Sequence, residues 1–249
     1  MLRLLVACLL CLATVATTQA AERRMLDAEE ALAFHGVGRL NIAGIRFCTA
    51  TLIAPDVIVT AAHCLFHPQT GKRVPESELR FVAGYRLRER AAVRRVVGTA
   101  IDPAYAFGAR ATYAGVGADL ALARLDAPVP AAVVPFATAD RQGDGTLSIV
   151  SYGEDRPHAP SVEAPCGIVD DTDPVLALDC AVTYGASGSP LFEGEPGDLR
   201  LVGVVSAMGR LIRPPVDVTF TLLLGDAIAS LRAALAAAPA AAAPPRPRP

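Results

Sequence analysis

The chain has 249 residues, of which 52% are hydrophobic and 19% charged, with a formal net charge of -2. That hydrophobic content excludes long disorder over most of the chain. The basic residues are dispersed arginines, with Lys72 the sole lysine. No basic block of the kind that grips a phosphate backbone is present, so no nucleic-acid partner is expected.

Taken in chain order, residues 1–20 read as an export signal. Arg3 supplies the positive flank, residues 4–13 are an unbroken apolar run, and Thr18-Gln19-Ala20 offers a small-residue cleavage site. A membrane helix needs about 20 apolar residues, and this run is too short, so no stable membrane association is expected. Residues 21–37 form an N-terminal segment. Arg23-Arg24 within it is a candidate processing site of a short propeptide, although paired charges are more often a solvated turn. The last stretch, 239–249, contains only proline, alanine and arginine and reads as an extended low-complexity tail. The expected location is secreted or periplasmic.

Between these ends, short apolar runs are split by Gly, Pro and Asp. Strands are expected at 38–42, 47–53, 57–61, 79–83, 94–99, 120–125, 147–152, 167–169, 175–180, 190–192, 201–205 and 218–221. Many short strands with turn signals between them indicate an all-β sandwich or barrel, and the missing βα alternation disfavours a doubly wound sheet. Two helices are expected, at 26–34 and 225–238. In the second, Ile228, Leu231 and Leu235 share one face. The proline-rich stretch around Pro128, Pro130 and Pro135 marks a crossover, dividing an N-terminal unit, 38–128, from a C-terminal unit, 129–238.

Cys8 and Cys11 leave with the signal, and Cys48, Cys64, Cys166 and Cys180 remain. An even number in an exported chain suggests two disulfides. Three pairings are open. The sequence-local one, Cys48–Cys64 with Cys166–Cys180, closes loops of similar length, each contributing about 3 kcal/mol. A structural zinc site is the rival, but no CxxC or paired-histidine spacing supports it, and no metal is expected.

Three local sequences carry chemistry. Thr60-Ala61-Ala62-His63-Cys64 places a histidine at a strand end, beside a cysteine that a disulfide can pin. A general base needs such fixity, because imidazole must meet its partner within about 3 Å. Asp119 opens the apolar run 120–125 and sits at a core margin, where a carboxylate needs hydrogen-bond donors. Gly185-Ala186-Ser187-Gly188-Ser189-Pro190 brackets a serine with glycines, allowing a tight turn with inward amides. Each also has a bland reading: a satisfied loop histidine, a turn aspartate, a Gly/Ser hairpin. The α/β-hydrolase elbow G-x-S-x-G fails, because Ser189 stands at its last glycine.

The order His…Asp…Ser, each within its flanking sequence, resembles the chymotrypsin/trypsin family of serine endopeptidases. The resemblance runs from about Gly38 to Ala238. It is carried by Cys48, "TLIAPDVIVTAAHC" ending at Cys64, "DLALARL" from Asp119 and "GASGSPLF" from Gly185. It implies two six-stranded antiparallel β-barrels with a C-terminal α-helix. It implies His63 as general base, Asp119 orienting it, Ser187 as nucleophile, and the amides of Gly185 and Ser187 as oxyanion hole. Ser206, in "GVVSA", matches a serine that hydrogen-bonds the aspartate and lines the substrate cleft. No cofactor is required, and the partner is a protein or peptide substrate met by a monomer.

The chain departs from the family's animal digestive members at Ala186, where they carry an Asp that pairs with a newly cut N-terminus. That activation switch is not expected here. The "SGSP" ending is closer to secreted bacterial glutamyl-endopeptidase-like members, and the arginine- and alanine-rich composition fits a bacterial source. Ala181, six residues before Ser187, falls where trypsin-like members carry a pocket-base Asp. Val205 falls where the glutamyl-specific group has a His. With Thr183, Ala207 and Met208 as further candidate substrate-binding residues, an apolar or small-residue preference is expected. The alternative reading is a catalytically silent binding protein on the same fold.

Overall fold

A computed structural model describes residues 22–108, 112–213 and 215–238. The expected export signal (1–20) and the Pro/Ala tail (239–249) lie outside the described residues. The described chain opens with strand β1 (Glu22–Met25) and helix α1 (Ala28–Ala33). Strands β2 (Val37–Ile42), β3 (Arg46–Ala54), β4 (Val57–Ala61), β5 (Leu79–Ala83) and β6 (Ala92–Ile101) follow. Helix α2 (Tyr113–Gly117) and strand β7 (Leu120–Leu125) complete the first half. The second half carries β8 (Leu147–Gly153), β9 (Arg156–Ala164), β10 (Ile168–Thr172), β11 (Val175–Leu178), β12 (Pro190–Glu193), β13 (Arg200–Ile212) and β14 (Pro215–Leu223). Helix α3 (Ala227–Ala237) closes it.

Strands β2–β7 form a closed six-stranded barrel in the order β2-β3-β4-β7-β6-β5. Its interior is filled by Leu40, Ile42, Leu52, Ile58, Leu79 and Phe81, all fully buried. β7 shows why its sequence is apolar throughout. Successive side chains alternate faces: Ala121, Ala123 and Leu125 enter the barrel core, while Leu120 and Leu122 join a second cluster with Val150, Tyr152, Phe192 and Val204. Both faces of β7 are therefore covered, one by its own barrel and one by the second half of the chain.

The all-β class, the closed barrel and the terminal helix are as expected. The second unit differs from the expected six-stranded barrel. It is an eight-stranded antiparallel sheet in the order β1-β9-β8-β12-β13-β14-β11-β10. The extra edge comes from the N-terminal segment, whose β1 pairs with β9 from Glu22↔Ala164 to Met25↔Ser161. That segment is built into the core: Leu26 and Ala31 are buried in the cluster between the two units. α1 begins in a capping box formed by Asp27 and Glu30. α3 follows the second sheet in sequence, yet packs on β6 and β7 of the barrel. Leu231 and Leu235 are its buried face.

Both disulfides have the sequence-local pairing, Cys48–Cys64 and Cys166–Cys180, with Cα separations of 6.2 and 5.2 Å. Among the described residues no helix is long and apolar enough to cross a membrane.

Candidate active site

The register of β4 on β7 builds the first part of the site. Ala61 lies opposite Leu120, so the residue just past the end of β4 meets the residue just before β7. Ala62 N–H extends the ladder to Asp119 O at 3.1 Å. The chain then turns through a 3-10 helix, Ala62–Leu65, and presents His63 over Asp119. Cys64 in that turn is bonded to Cys48 on β3, and Arg46 Nη2 donates to the carbonyls of His63 and Phe66 at 2.8 and 2.7 Å. The histidine backbone is thus held from both sides.

Asp119 is 4% exposed and accepts three hydrogen bonds. His63 N–H donates to Oδ1 at 2.8 Å, and the His63 ring nitrogen Nδ1 lies 2.7 Å from Oδ2. Ser206 Oγ donates to Oδ2 at 2.6 Å. An ionised carboxylate only accepts, so the contact selects the tautomer protonated at Nδ1 and leaves Nε2 as the basic nitrogen. Ser206 reaches Asp119 from a register shift between Val205 and Ala207, where β13 bulges against β14. Bulges re-aim side chains in this way.

The serine turn belongs to the second sheet. Gly185 and Gly188 take φ of 94° and 80°, values a side chain disfavours. A Cβ at Gly185 would also collide with Phe47, and one at Gly188 with Thr60 Oγ1 and the Thr49 carbonyl. The turn is closed by Ala186 N–H to Thr183 O (3.1 Å), Ser189 N–H to Ala186 O (2.9 Å) and Gly188 N–H to Val205 O (2.8 Å). Thr49 of the barrel docks against it. Thr49 N–H donates to Ser187 O at 2.9 Å, its hydroxyl donates to Gly185 O at 3.0 Å, and the hydroxyl accepts from Tyr152 N–H at 3.0 Å. Among the described residues, no hydrogen bond joins Ser187 to His63. Among the described residues, the amides of Gly185 and Ser187 make no backbone hydrogen bond.

His63, Asp119, Ser187 and Ser206 line one cleft of about 420 Å³. Thr183, Ala207 and Met208 line it too, beside Val205, so with Ser206 four of the five candidate substrate-binding residues converge. Ala181 does not. It is exposed, and the buried Val182 lines the cleft in its place. In extended chain a one-residue offset moves a side chain to the opposite face, which is the reason for this correction. A hollow of about 440 Å³, lined by Tyr113, Leu211, Ile212 and Phe220, shares Val116, Ala207 and Met208 with the cleft.

Sequence reading missed Thr49, Arg46, Val116 and Tyr105. Burial, and after it the Asp119 charge, pushes the Tyr105 phenol above its ordinary value, so it lines the cleft as a neutral hydroxyl. Cys48, His63 and Cys64 bring three potential metal-ligating atoms within 4.8 Å. The two sulfurs are joined to each other, which removes the thiolates such a site would need.

A family model described as a trypsin-like peptidase domain matches residues 48–204. A Saccharopolyspora erythraea protein named trypsin is 30% identical over 115 residues, covering 44% of this chain and 45% of that relative. The match therefore spans about half the relative's length. A solved structure of a Glu endopeptidase superposes with a TM-score of 0.71 at 16% identity, covering 89% of this chain and all of the other. A thermostable serine protease from an extremophilic microorganism gives 0.64 at 18%, covering 83% of this chain and all of the other. At these identities the two structures are alike in fold.

Proposed function

Because the chain belongs to the trypsin-like peptidase family, we propose that it is a secreted serine endopeptidase acting through Ser187, His63 and Asp119. The observation that carries this reading is the buried Asp119 carboxylate. It is held by three donors, one of them the ring of a histidine that shares a cleft with a serine on a glycine-bracketed turn.

In this reading His63 Nε2 takes the proton of Ser187 Oγ as the oxygen attacks a peptide carbonyl carbon. Asp119 holds the ring and stabilises the imidazolium that forms. The amides of Gly185 and Ser187 receive the developing oxyanion, where each such donor supplies about 2.7–4 kcal/mol of transition-state stabilisation. The imidazolium then protonates the leaving amine, and the acyl-enzyme is hydrolysed by the reverse sequence. The serine–histidine bond forms on substrate binding, as catalytic hydrogen bonds tighten in the Michaelis complex.

Specificity follows the lining of the cleft. Val182, Val205, Ala207 and Met208 offer apolar surface, and the adjoining hollow extends it. We assign the enzyme an apolar or small side chain at the residue preceding the cut. It acts as a monomer in the periplasm or medium.

Cleavage of an undirected peptide library tests the assignment. Cuts after apolar or small residues, lost in Ser187→Ala, are expected. Cuts dominated by Arg, Lys or Glu would overturn the specificity. No cuts by the folded, disulfide-bonded protein would favour a binding protein on this fold.

A further inference from the structure

The N-terminal strand carries a cation into the second sheet close to the serine turn. In the β1–β9 ladder Arg23 lies directly opposite Glu163, so the two side chains share a face. Arg23 Nη2 meets Asp155 Oδ2 at 2.6 Å, and its Nε lies 3.7 Å from Glu163 Oε1. Its Nη1 donates to Thr183 Oγ1 at 3.3 Å. Thr183 Oγ1 in turn donates to Asp155 Oδ1 at 2.8 Å. Arg23, Asp155 and Thr183 therefore close a ring, and the Arg23 carbonyl is fixed by Arg156 Nη1 at 3.0 Å.

Glu163 lies beneath this ring. It is 1% exposed, and its charged form is favoured by Arg23 first and then by the backbone amide of Ala181. Arg23 is the one cation within 4.0 Å of it among those residues. A carboxylate so placed depends chiefly on that guanidinium.

The ring ends on the turn that carries the chemistry. Thr183 O accepts from Ala186 N–H. Tyr184 O accepts from Glu154 N–H at 2.7 Å, in the same β8–β9 connection as Asp155. Gly185 and Ser187 follow at once. Two left-handed glycines give this turn little intrinsic preference for one conformation, so its geometry is set by what holds its first residues.

We propose that Arg23 is a positioning residue: through Asp155 and Thr183 it holds the 183–187 turn with the Gly185 and Ser187 amides facing the cleft. This rests on the endopeptidase reading, and it makes β1 part of the working enzyme. Cleavage after Arg24 would remove the clamp, so the active form keeps Arg23.

The test uses the secreted full-length chain with Arg23→Gln and Arg23→Lys. Turnover of a peptide substrate is measured together with hydrogen exchange of the peptide spanning 183–189. Arg23→Gln is expected to lower kcat about tenfold or more with KM little changed, the pattern of a misplaced oxyanion hole. It is also expected to speed exchange in the turn. Arg23→Lys restores the charge facing Asp155 but not the fork that also reaches Thr183, so recovery is partial. If Arg23→Gln proves unstable because Glu163 is left alone, the double variant Arg23→Gln/Glu163→Gln removes that charge. It is expected to keep the low kcat and the fast exchange.

A lowered melting temperature with kcat and turn exchange unchanged would overturn the proposal, leaving Arg23 purely structural. An active protein whose N-terminal residue is Met25 would also overturn it. A wild-type chain without turnover would defeat the endopeptidase reading, while the exchange comparison would still decide whether Arg23 orders the turn.

Discussion

The two halves of the molecule hold their parts of the site by different means. His63 and Asp119 stand at adjacent ends of paired strands in a closed barrel, and a disulfide pins the intervening turn. Their geometry follows from the barrel ladder, with Ser206 adding a hydrogen bond from the second sheet. Ser187 stands on a turn that needs two positive-φ glycines and borrows its support, from Thr49 across the unit boundary and from Arg23 on the N-terminal strand. His63 is pre-organised by its own unit. Ser187 and the neighbouring amides are organised by docking.

Changes at the chemical groups test the site itself and carry the largest effects. Ser187→Ala and His63→Ala are each expected to lower kcat by about 10⁶-fold, and Asp119→Asn by about 10⁴-fold through the wrong histidine tautomer. Steady-state turnover on one peptide substrate measures all three. Comparable activity in Asp119→Asn and the parent would break the barrel half of the comparison.

Gly188→Ala comes next, because the added carbon meets the Thr49 carbonyl and Thr60 Oγ1 at an already strained φ. It is expected to abolish a correctly formed serine turn while the His63–Asp119 contact persists. The low-field proton resonance of the His63 ring would report the second point. Thr49→Val removes the hydroxyl that Gly185 O and Tyr152 N–H share. A stability loss of about 1–3 kcal/mol in urea unfolding is expected, with turnover falling about tenfold as the turn loses its dock.

Glu163 supplies a pH signature. Burial pushes its carboxyl up to about 7, offset in part by Arg23, the Ala181 backbone amide and Arg156 and reinforced by Asp155. The ordinary glutamate value is about 4.3. Between those values the unfolded chain releases a proton that the folded chain keeps, so stability falls as pH rises through this window. The loss reaches about 3 kcal/mol near neutrality and then levels off. Glu163→Gln is expected to flatten the profile of melting temperature against pH over that range. An unchanged profile would contradict it. The smallest effect belongs to Ser189→Ala. The Ser189 hydroxyl is buried without a hydrogen-bond partner among the described residues, so its removal is expected to change stability by less than about 1 kcal/mol or to raise it.

The sequence was most legible where a site is built from contiguous residues. Strands at Val57–Ala61, Leu79–Ala83 and Leu120–Leu125 have the expected bounds, because each is an apolar run whose two faces are covered or that closes the barrel. β9 escaped notice because Pro157 and Pro160 argue against a strand. Its register shows how they are tolerated: paired residues are Arg156 and Ser161 to Ala164, and both prolines fall outside them. β1 was read as a charged segment because its strand character comes from docking on β9, not from its own four residues. α2 has two glycines in five residues, too short and too weak a pattern to mark a helix. Thr49 and Arg23 were illegible for one shared reason. Each acts on a turn more than 130 residues away, and no local pattern records that approach.

The central claim is that Ser187 is an activated nucleophile. Its most direct test is labelling of the purified protein with a fluorophosphonate, the adduct being located by peptide mass spectrometry. One adduct per chain on Ser187, absent in Ser187→Ala and strongly slowed in Asp119→Asn, is predicted. No adduct on folded protein with both disulfides intact, or an adduct on another residue, would contradict it.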